Sequence, residues 1–208
     1  MNADNPAIPI PSEKIHADPI TVEVIRNSFS SIAAQMNQNL ARSAYTPIIY
    51  EMKDCSVSIF DRHAQLVGNS SGLPVFLGTL GPAVEAVIES FGIEDMKPGD
   101  IYLLNDSYIV GSHLNDVSVL SPVFLDNKII GFGASKAHWM DIGAKSPSSA
   151  TDSTEIYQEG YRLGPTRVFR AGEPVKNIID FLTRNSRLPK AIWGDLQAQV
   201  AACRTGER

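Results

Sequence analysis

Six apolar residues, Val22, Ile25, Phe29, Ile32, Met36 and Leu40, recur at spacings of three and four, which is the period of one face of an α-helix. Asp18-Pro19 just ahead of them supplies a helix start: Asp as N-cap, then Pro at the first helical position, where its missing N–H costs nothing. Tyr45-Thr46-Pro47 supplies the stop, because the residue before a proline is pushed out of the α region. The predicted helix has about 25 residues and a length of roughly 38 Å with one apolar stripe. A helix of that length is a scaffold, and the stripe reads as core packing.

Behind the helix the period changes from helical to alternating. Cys55-Ser56-Val57-Ser58-Ile59-Phe60, the turn Asp61-Arg62-His63-Ala64 and the run Gln65-Leu66-Val67 form a hairpin pattern, with His63 as a solvated turn residue. Residues 68–78 read as a loop, yet they carry the apolar run Leu73-Pro74-Val75-Phe76-Leu77, which suits a pocket wall, a subunit contact or burial under the next helix. That helix is predicted from Pro82 to Phe91 and is stopped by Gly92. After the turn Lys97-Pro98-Gly99-Asp100, a short buried strand over 101–104 delivers Asn105 and Asp106 to its end. Strands over 117–124 and 129–137 follow, joined at Asp126-Asn127-Lys128. The predicted class is α+β: a long N-terminal helix packed on a mixed, largely antiparallel sheet, with a helical C-terminal segment. Residues 1–17 hold three prolines and no periodicity, and read as an extended arm that could lie on a partner.

Composition narrows the function classes. The 208 residues are 43% hydrophobic and 20% charged with a formal net charge of −5, a balance that gives no electrostatic reason to expect nucleic acid. Apolar runs of about eight residues are far short of the roughly 20 needed to span a bilayer, and no signal pattern opens the chain. The expectation is a cytoplasmic protein without membrane contact. Cys55 and Cys203 are too few and too far apart for a disulfide framework or a CxxC metal site, and Cys55 reads as a core thiol.

Chemistry concentrates in one region. His113-Leu114-Asn115-Asp116 precedes one predicted strand and His138 ends the next, so two of the four histidines and a carboxylate lie where loops meet strands. Two imidazoles and a carboxylate are metal-site donors, and such sites leave a position open for water or substrate. The bland alternatives stand beside this one: HxxD recurs by chance, and a histidine next to Trp139 also suits a satisfied core. Glu51-Met52-Lys53-Asp54 places two carboxylates at the mouth of the first strand, where an ion-pair cluster with Lys53 is the simplest reading. No GxSxG elbow, Cys/His signature or GxxxxGK[ST] loop occurs, so ATP would bind elsewhere.

The stretches 18–27, Leu104-Asn105-Asp106-Ser107-Tyr108, Gly111-Ser112-His113-Leu114-Asn115-Asp116, 137–143 and Glu155-Ile156-Tyr157-Gln158-Glu159-Gly160 together resemble the hydantoinase B/oxoprolinase family, in order and over residues 18–208. The resemblance implies that His113, Asp116 and His138 bind a divalent metal (zinc, manganese or iron), with Asp54 or Glu51 completing the set. It also puts Asp106 and Asp141 beside the site as groups that orient substrate or ligands. It implies a hydantoinase A-type partner that binds Mg-ATP and phosphorylates the substrate carbonyl oxygen. Members usually continue for several hundred residues past the position of Arg208, so residues 18–208 are expected to be the N-terminal part of the family domain, as a fragment or a split subunit. In the second case a further subunit carries the rest, and the last two helices (near 175–182 and 192–203) are expected to leave apolar surface for it. The chain departs from the family with Gly143-Ala144-Lys145 and Pro147-Ser148-Ser149, where Gly-Gly and Pro-Gly-Ser are usual. Three functions follow: ATP-dependent hydrolysis of a cyclic amide, ATP-dependent carboxylation of a ketone, or a non-catalytic structural subunit.

Overall fold

Asp18 opens the first helix as its N-cap, its carboxylate accepting from the backbone N–H of Thr21 at 3.1 Å. α1 (Pro19–Ser43) then runs for 25 residues, the length its stripe predicts. The structure, a computed structural model, describes residues 18–70, 72–148 and 151–208, so the arm expected at 1–17 lies outside the described residues. Only the carboxyl half of the α1 stripe is buried: Ala33, Met36 and Leu40 are fully enclosed, while Val22 and Ile25 stand half exposed.

A short α2 (Pro47–Tyr50) leads into the predicted hairpin of β1 (Cys55–Asp61) and β2 (Leu66–Asn69). In its turn the Asp61 carboxylate accepts from the N–H groups of His63 (2.8 Å) and Gln65 (2.9 Å), which folds the turn back on itself. His63 is half-buried as a result, not solvated as its sequence position suggests.

The next helix corrects the sequence. α3 spans Pro74–Phe91 and has Pro82 inside it, so the apolar run at 73–77 belongs largely to its first turn and not to a loop. Pro74 is the proline at the helix start. Pro82 is tolerated because the carbonyl it leaves without a donor, four residues back, belongs to Gly78, which is exposed to solvent and has open space around it. Gly92 ends the helix as expected, at φ +71°.

The remaining elements are β3 (Ile101–Leu104), α4 (Ser107–Val110), β4 (Asp116–Leu125), β5 (Lys128–His138), β6 (Thr166–Arg170), β7 (Glu173–Pro174), α5 (Lys176–Arg184) and α6 (Pro189–Gly206). β4 and β5 turn at Asp126 and Asn127, both at positive φ, the conformation that a tight two-residue hairpin demands. The seven strands form one sheet in the order β2-β1-β5-β4-β3-β6-β7, antiparallel at every pairing.

Both faces of this sheet are covered. On one, Leu80, Val84 and Val87 of α3 pack on Phe60, Tyr102, Leu120 and Phe132. On the other, Ile192, Leu196 and Val200 of α6 pack with Val117, Val119 and Trp139, while Met36 and Leu40 of α1 lie with Val57 and Ala137. Double coverage explains why β1, β4 and β5 are buried almost continuously along their length. The buried Gln199 amide fixes α6 on the sheet, donating to Val117 O (2.9 Å) and accepting from Trp139 Nε1 (2.8 Å). The expectation of bare apolar faces on the last two helices is therefore overturned for α6: Ile192, Leu196, Val200 and Cys203 are spent on the sheet and on α1. Among the described residues no helix is long and apolar enough to cross a membrane.

Candidate functional site

Strand register builds the site. Asp116 at the start of β4 pairs with His138 at the end of β5, and the N–H of His138 donates to Asp54 O just ahead of β1 (3.1 Å). Three chain segments distant in sequence thus end side by side on one sheet margin. The HxxD segment is closed by its own hydrogen bonds: the Asp116 carboxylate accepts from His113 N (3.1 Å), and Asp116 N donates to His113 O (3.0 Å). Asn105 and Asn115 brace the loop from behind, through bonds to Leu114 O (2.7 Å) and Trp139 O (2.7 Å).

His138 is 4% exposed. Its Nδ1 lies 2.8 Å from Asp116 Oδ1 and 3.9 Å from Asp54 Oδ2, while its Nε2 is buried with no partner. Each neutral tautomer leaves something unmet. With the proton on Nδ1, the Nε2 lone pair faces no donor; with it on Nε2, the Nδ1 lone pair faces two carboxylates. A cation at Nε2 would satisfy the first tautomer, and one between Nδ1 and the carboxylates would relieve the repulsion in the second; imidazole and carboxylate are the chemistry of a divalent-metal donor set. Two donors bound at about 2.0–2.2 Å to one ion lie roughly 3–3.5 Å apart, which falls between the two distances seen here. As the side chains stand, no three His, Cys, Asp or Glu groups among the described residues close on a single point. The exposed His113 ring lies 6.4 Å from that of His138, centre to centre. Burial raises the Asp54 carboxyl above its ordinary value, opposed by His138 and reinforced by Asp116.

These residues line a cleft of about 610 Å³, within the range of small-molecule sites. Its apolar wall is Leu73, Val75 and Phe76 at the start of α3, so that run does form a pocket wall. The other residues proposed from the sequence go elsewhere. Glu51 is exposed at the end of α2 and outside the cleft lining, and Lys53 donates to Tyr50 O without an ion pair to either neighbouring carboxylate. Asp106 caps α4 by accepting from Tyr108 N (3.0 Å) and faces Arg162 at 3.6 Å, which shapes the turn carrying Ser107 and Gly111 into the cleft. Asp141 is fully buried against Arg187, accepting from its Nη2 (2.6 Å) and Nε (3.0 Å), and also from Ser186 Oγ.

One polar residue beside the cleft escaped the sequence reading. Lys136, two residues before His138, is wholly buried, and its Nζ donates to Thr79 Oγ1 (2.7 Å) and Ser112 Oγ (2.9 Å). Burial pushes its ammonium down to about 8, with the charge on Asp116 opposing. The available signal was a lysine inside the otherwise apolar run of β5.

The family model for hydantoinase B/oxoprolinase matches residues 18–208. The chain belongs to the hydantoinase B/oxoprolinase family. It is 35% identical to one subunit of a putative D-/L-hydantoinase from a Pseudomonas species, over 93% of this chain and 34% of that protein. Its fold matches the crystal structure of the ATP-dependent caprolactamase of Pseudomonas jessenii with a TM-score of 0.86 and 31% identity, over 93% of this chain and 34% of that one. The fold of acetone carboxylase also matches, with a TM-score of 0.84 at 21% identity, covering 90% and 25%. The chain spans about a third of the length of the hydantoinase and caprolactamase relatives.

Proposed function

We propose that this chain is the metal-bearing part of an ATP-dependent cyclic-amide hydrolase of the hydantoinase, oxoprolinase or lactamase type. The observation that carries the reading is His138: buried, oriented by Asp116, close to Asp54, and with an unmet nitrogen in either tautomer. Asp54, His113, Asp116 and His138 would hold the ion, a zinc, manganese or iron, with His113 and Asp54 drawn in on binding. Bound there, a divalent ion supplies Lewis-acid polarisation and an acidified water.

The rest of the division of labour follows the relatives. Hydantoinase and caprolactamase relatives at 32–35% identity favour an amide substrate. A hydantoinase A-type partner would bind Mg-ATP and pass a phosphoryl group to the amide oxygen. Water would then add at that carbon, the protonated ring nitrogen would leave as the C–N bond breaks, and a second water would release phosphate from the acyl phosphate so formed. On this chain, Leu73, Val75 and Phe76 would receive the ring methylenes. Ketone carboxylation is the second reading; the acetone carboxylase likeness shows a common fold.

The test is a preparation of this chain with its co-expressed genetic neighbours. We expect about one divalent ion per copy, and its loss in both His113→Ala and His138→Ala. Full metal occupancy in both variants would refute the assignment. ATP turnover stimulated by hydantoins, 5-oxoproline or lactams supports hydrolysis; turnover stimulated by ketones alone overturns it in favour of carboxylation.

A further inference from the structure

Lys136 is the one cation enclosed behind the cleft, and no ion pair compensates it among the described residues. The acid whose charge acts on it is Asp116, already engaged by the His138 ring and the N–H of His113. Its Nζ lies 5.7 Å from the centre of the Phe76 ring, and hydroxyl-bearing residues flank it on each packed element. Thr79 comes from α3 and Ser112 from the loop before β4, while Ser56 on β1 and Ser118 on β4 lie directly across the sheet from it. Directly opposed residues share a sheet face. The Ser56 and Ser118 hydroxyls are fully buried with no partner. An apolar side chain would fill this place without the cost of a desolvated ammonium, so a structural role alone explains neither the charge nor the unused hydroxyls.

We infer that Ser112, backed by Lys136 and Thr79, forms an oxyanion-binding subsite in the wall of the cleft. Ser112 lines the cleft and is the contacting group: its oxygen accepts from Lys136, which leaves its own O–H to donate to a ligand oxygen. Lys136 is a positioning residue that orients this hydroxyl and supplies the positive charge. A phosphoryl oxygen and a bicarbonate oxygen are both ligands of this kind. The inference deepens the proposed function and rests on its reading of the cleft as the substrate site.

The experiment titrates inorganic phosphate and, separately, bicarbonate into the complex purified with its partner subunits, with metal content measured on every sample. The partner's contribution is common to all samples, so the difference between variants is the readout. Lys136→Met and Ser112→Ala should each weaken binding of one probe by roughly tenfold, while Lys136→Arg recovers most of the loss. Metal content should be unchanged in all three. The probe that shows the dependence identifies the source of the oxyanion. Equal binding by the wild type and Ser112→Ala for both probes overturns the inference, as does a Lys136→Arg variant no better than Lys136→Met. Should Lys136→Met fail to fold, Ser112→Ala decides alone, because Ser112 is half-buried at the cleft. A complex without metal that still shows the serine- and lysine-dependent binding would sink the metal reading and leave the subsite standing.

Discussion

Asp141 shows how one carboxylate near a site can serve the scaffold. Burial alone would raise its carboxyl, but the hydrogen bonds from Arg187 and from Gly143 N–H outweigh that and hold it below the usual value. A depressed carboxyl stabilises the fold above its unfolded pKa, and that contribution fades as pH falls through the folded one. Asp141→Asn should therefore lower the melting temperature at pH 7, and its gap to the wild type should narrow as the pH drops below about 4. A gap that stays constant with pH would show that the ion pair is not its source. Asp195 on α6 also serves the scaffold, although burial raises its carboxyl: it accepts from Tyr45 N (2.7 Å), Thr46 N (3.1 Å) and Thr46 Oγ1 (2.7 Å). Asp195→Ala strands those donors and should cost about 2–4 kcal/mol in chemical denaturation.

At the scale of elements, α3 and the β1–β5 pair carry the cleft. Pro82 interrupts the α3 hydrogen-bond ladder on an exposed face. Pro82→Ala restores an N–H to the Gly78 carbonyl but frees the unfolded chain, so a net gain of about 2 kcal/mol is expected in thermal or urea unfolding. A loss of stability would mean that α3 needs the kink. Gly131 on β5 runs so close to β1 that a Cβ there would meet Phe60 O at 2.3 Å, and Gly131 pairs with Asp61. Gly131→Ala must push the two strands apart, at about 1–3 kcal/mol. Because Asp54 and His138 sit at the far end of the same pair, metal content should be measured on this variant as well.

Across the whole molecule, the helices divide their work unevenly. α6 is buried between the sheet and α1, whereas the first turns of α1 carry Ile20, Val22, Val24 and Ile25 at 49–74% exposure. Those four residues lie outside the buried clusters formed by the described residues. Replacing all four by a balanced set of Lys and Glu should leave the unfolding free energy within about 0.5 kcal/mol per site. A large loss would show that α1 is covered by the chain itself in solution. The candidate metal residues, by contrast, come from the segment just ahead of β1, from the facing ends of β4 and β5 and from the loop that β4 anchors, so they rest on strands buried along most of their length.

Local patterns in the sequence were enough for most elements, because helix and strand periods, prolines and glycines act over a few neighbours: α1 from its stripe, the β1–β2 hairpin from alternation, the β4–β5 turn from Asp126-Asn127. Residue chemistry marked His113, Asp116 and His138 as candidates, since imidazole and carboxylate are metal donors, and the family resemblance weighed them above a chance HxxD. What needed the tertiary structure was pairing across distance. Asp54, and not Glu51, reaches His138 because β1 pairs with β5 in that register. Asp141 turns from the cleft because Arg187, 46 residues later, folds over it. α3 begins at Pro74 because the sheet beneath it rewards burial of Phe76 and Leu80, a gain that outweighs the interruption at Pro82. Lys136 looks like a solvent-facing strand residue until α3 and the Ser112 loop close over it. Each of these depends on which surfaces meet, and that is decided by packing between segments that carry no mark of one another in sequence.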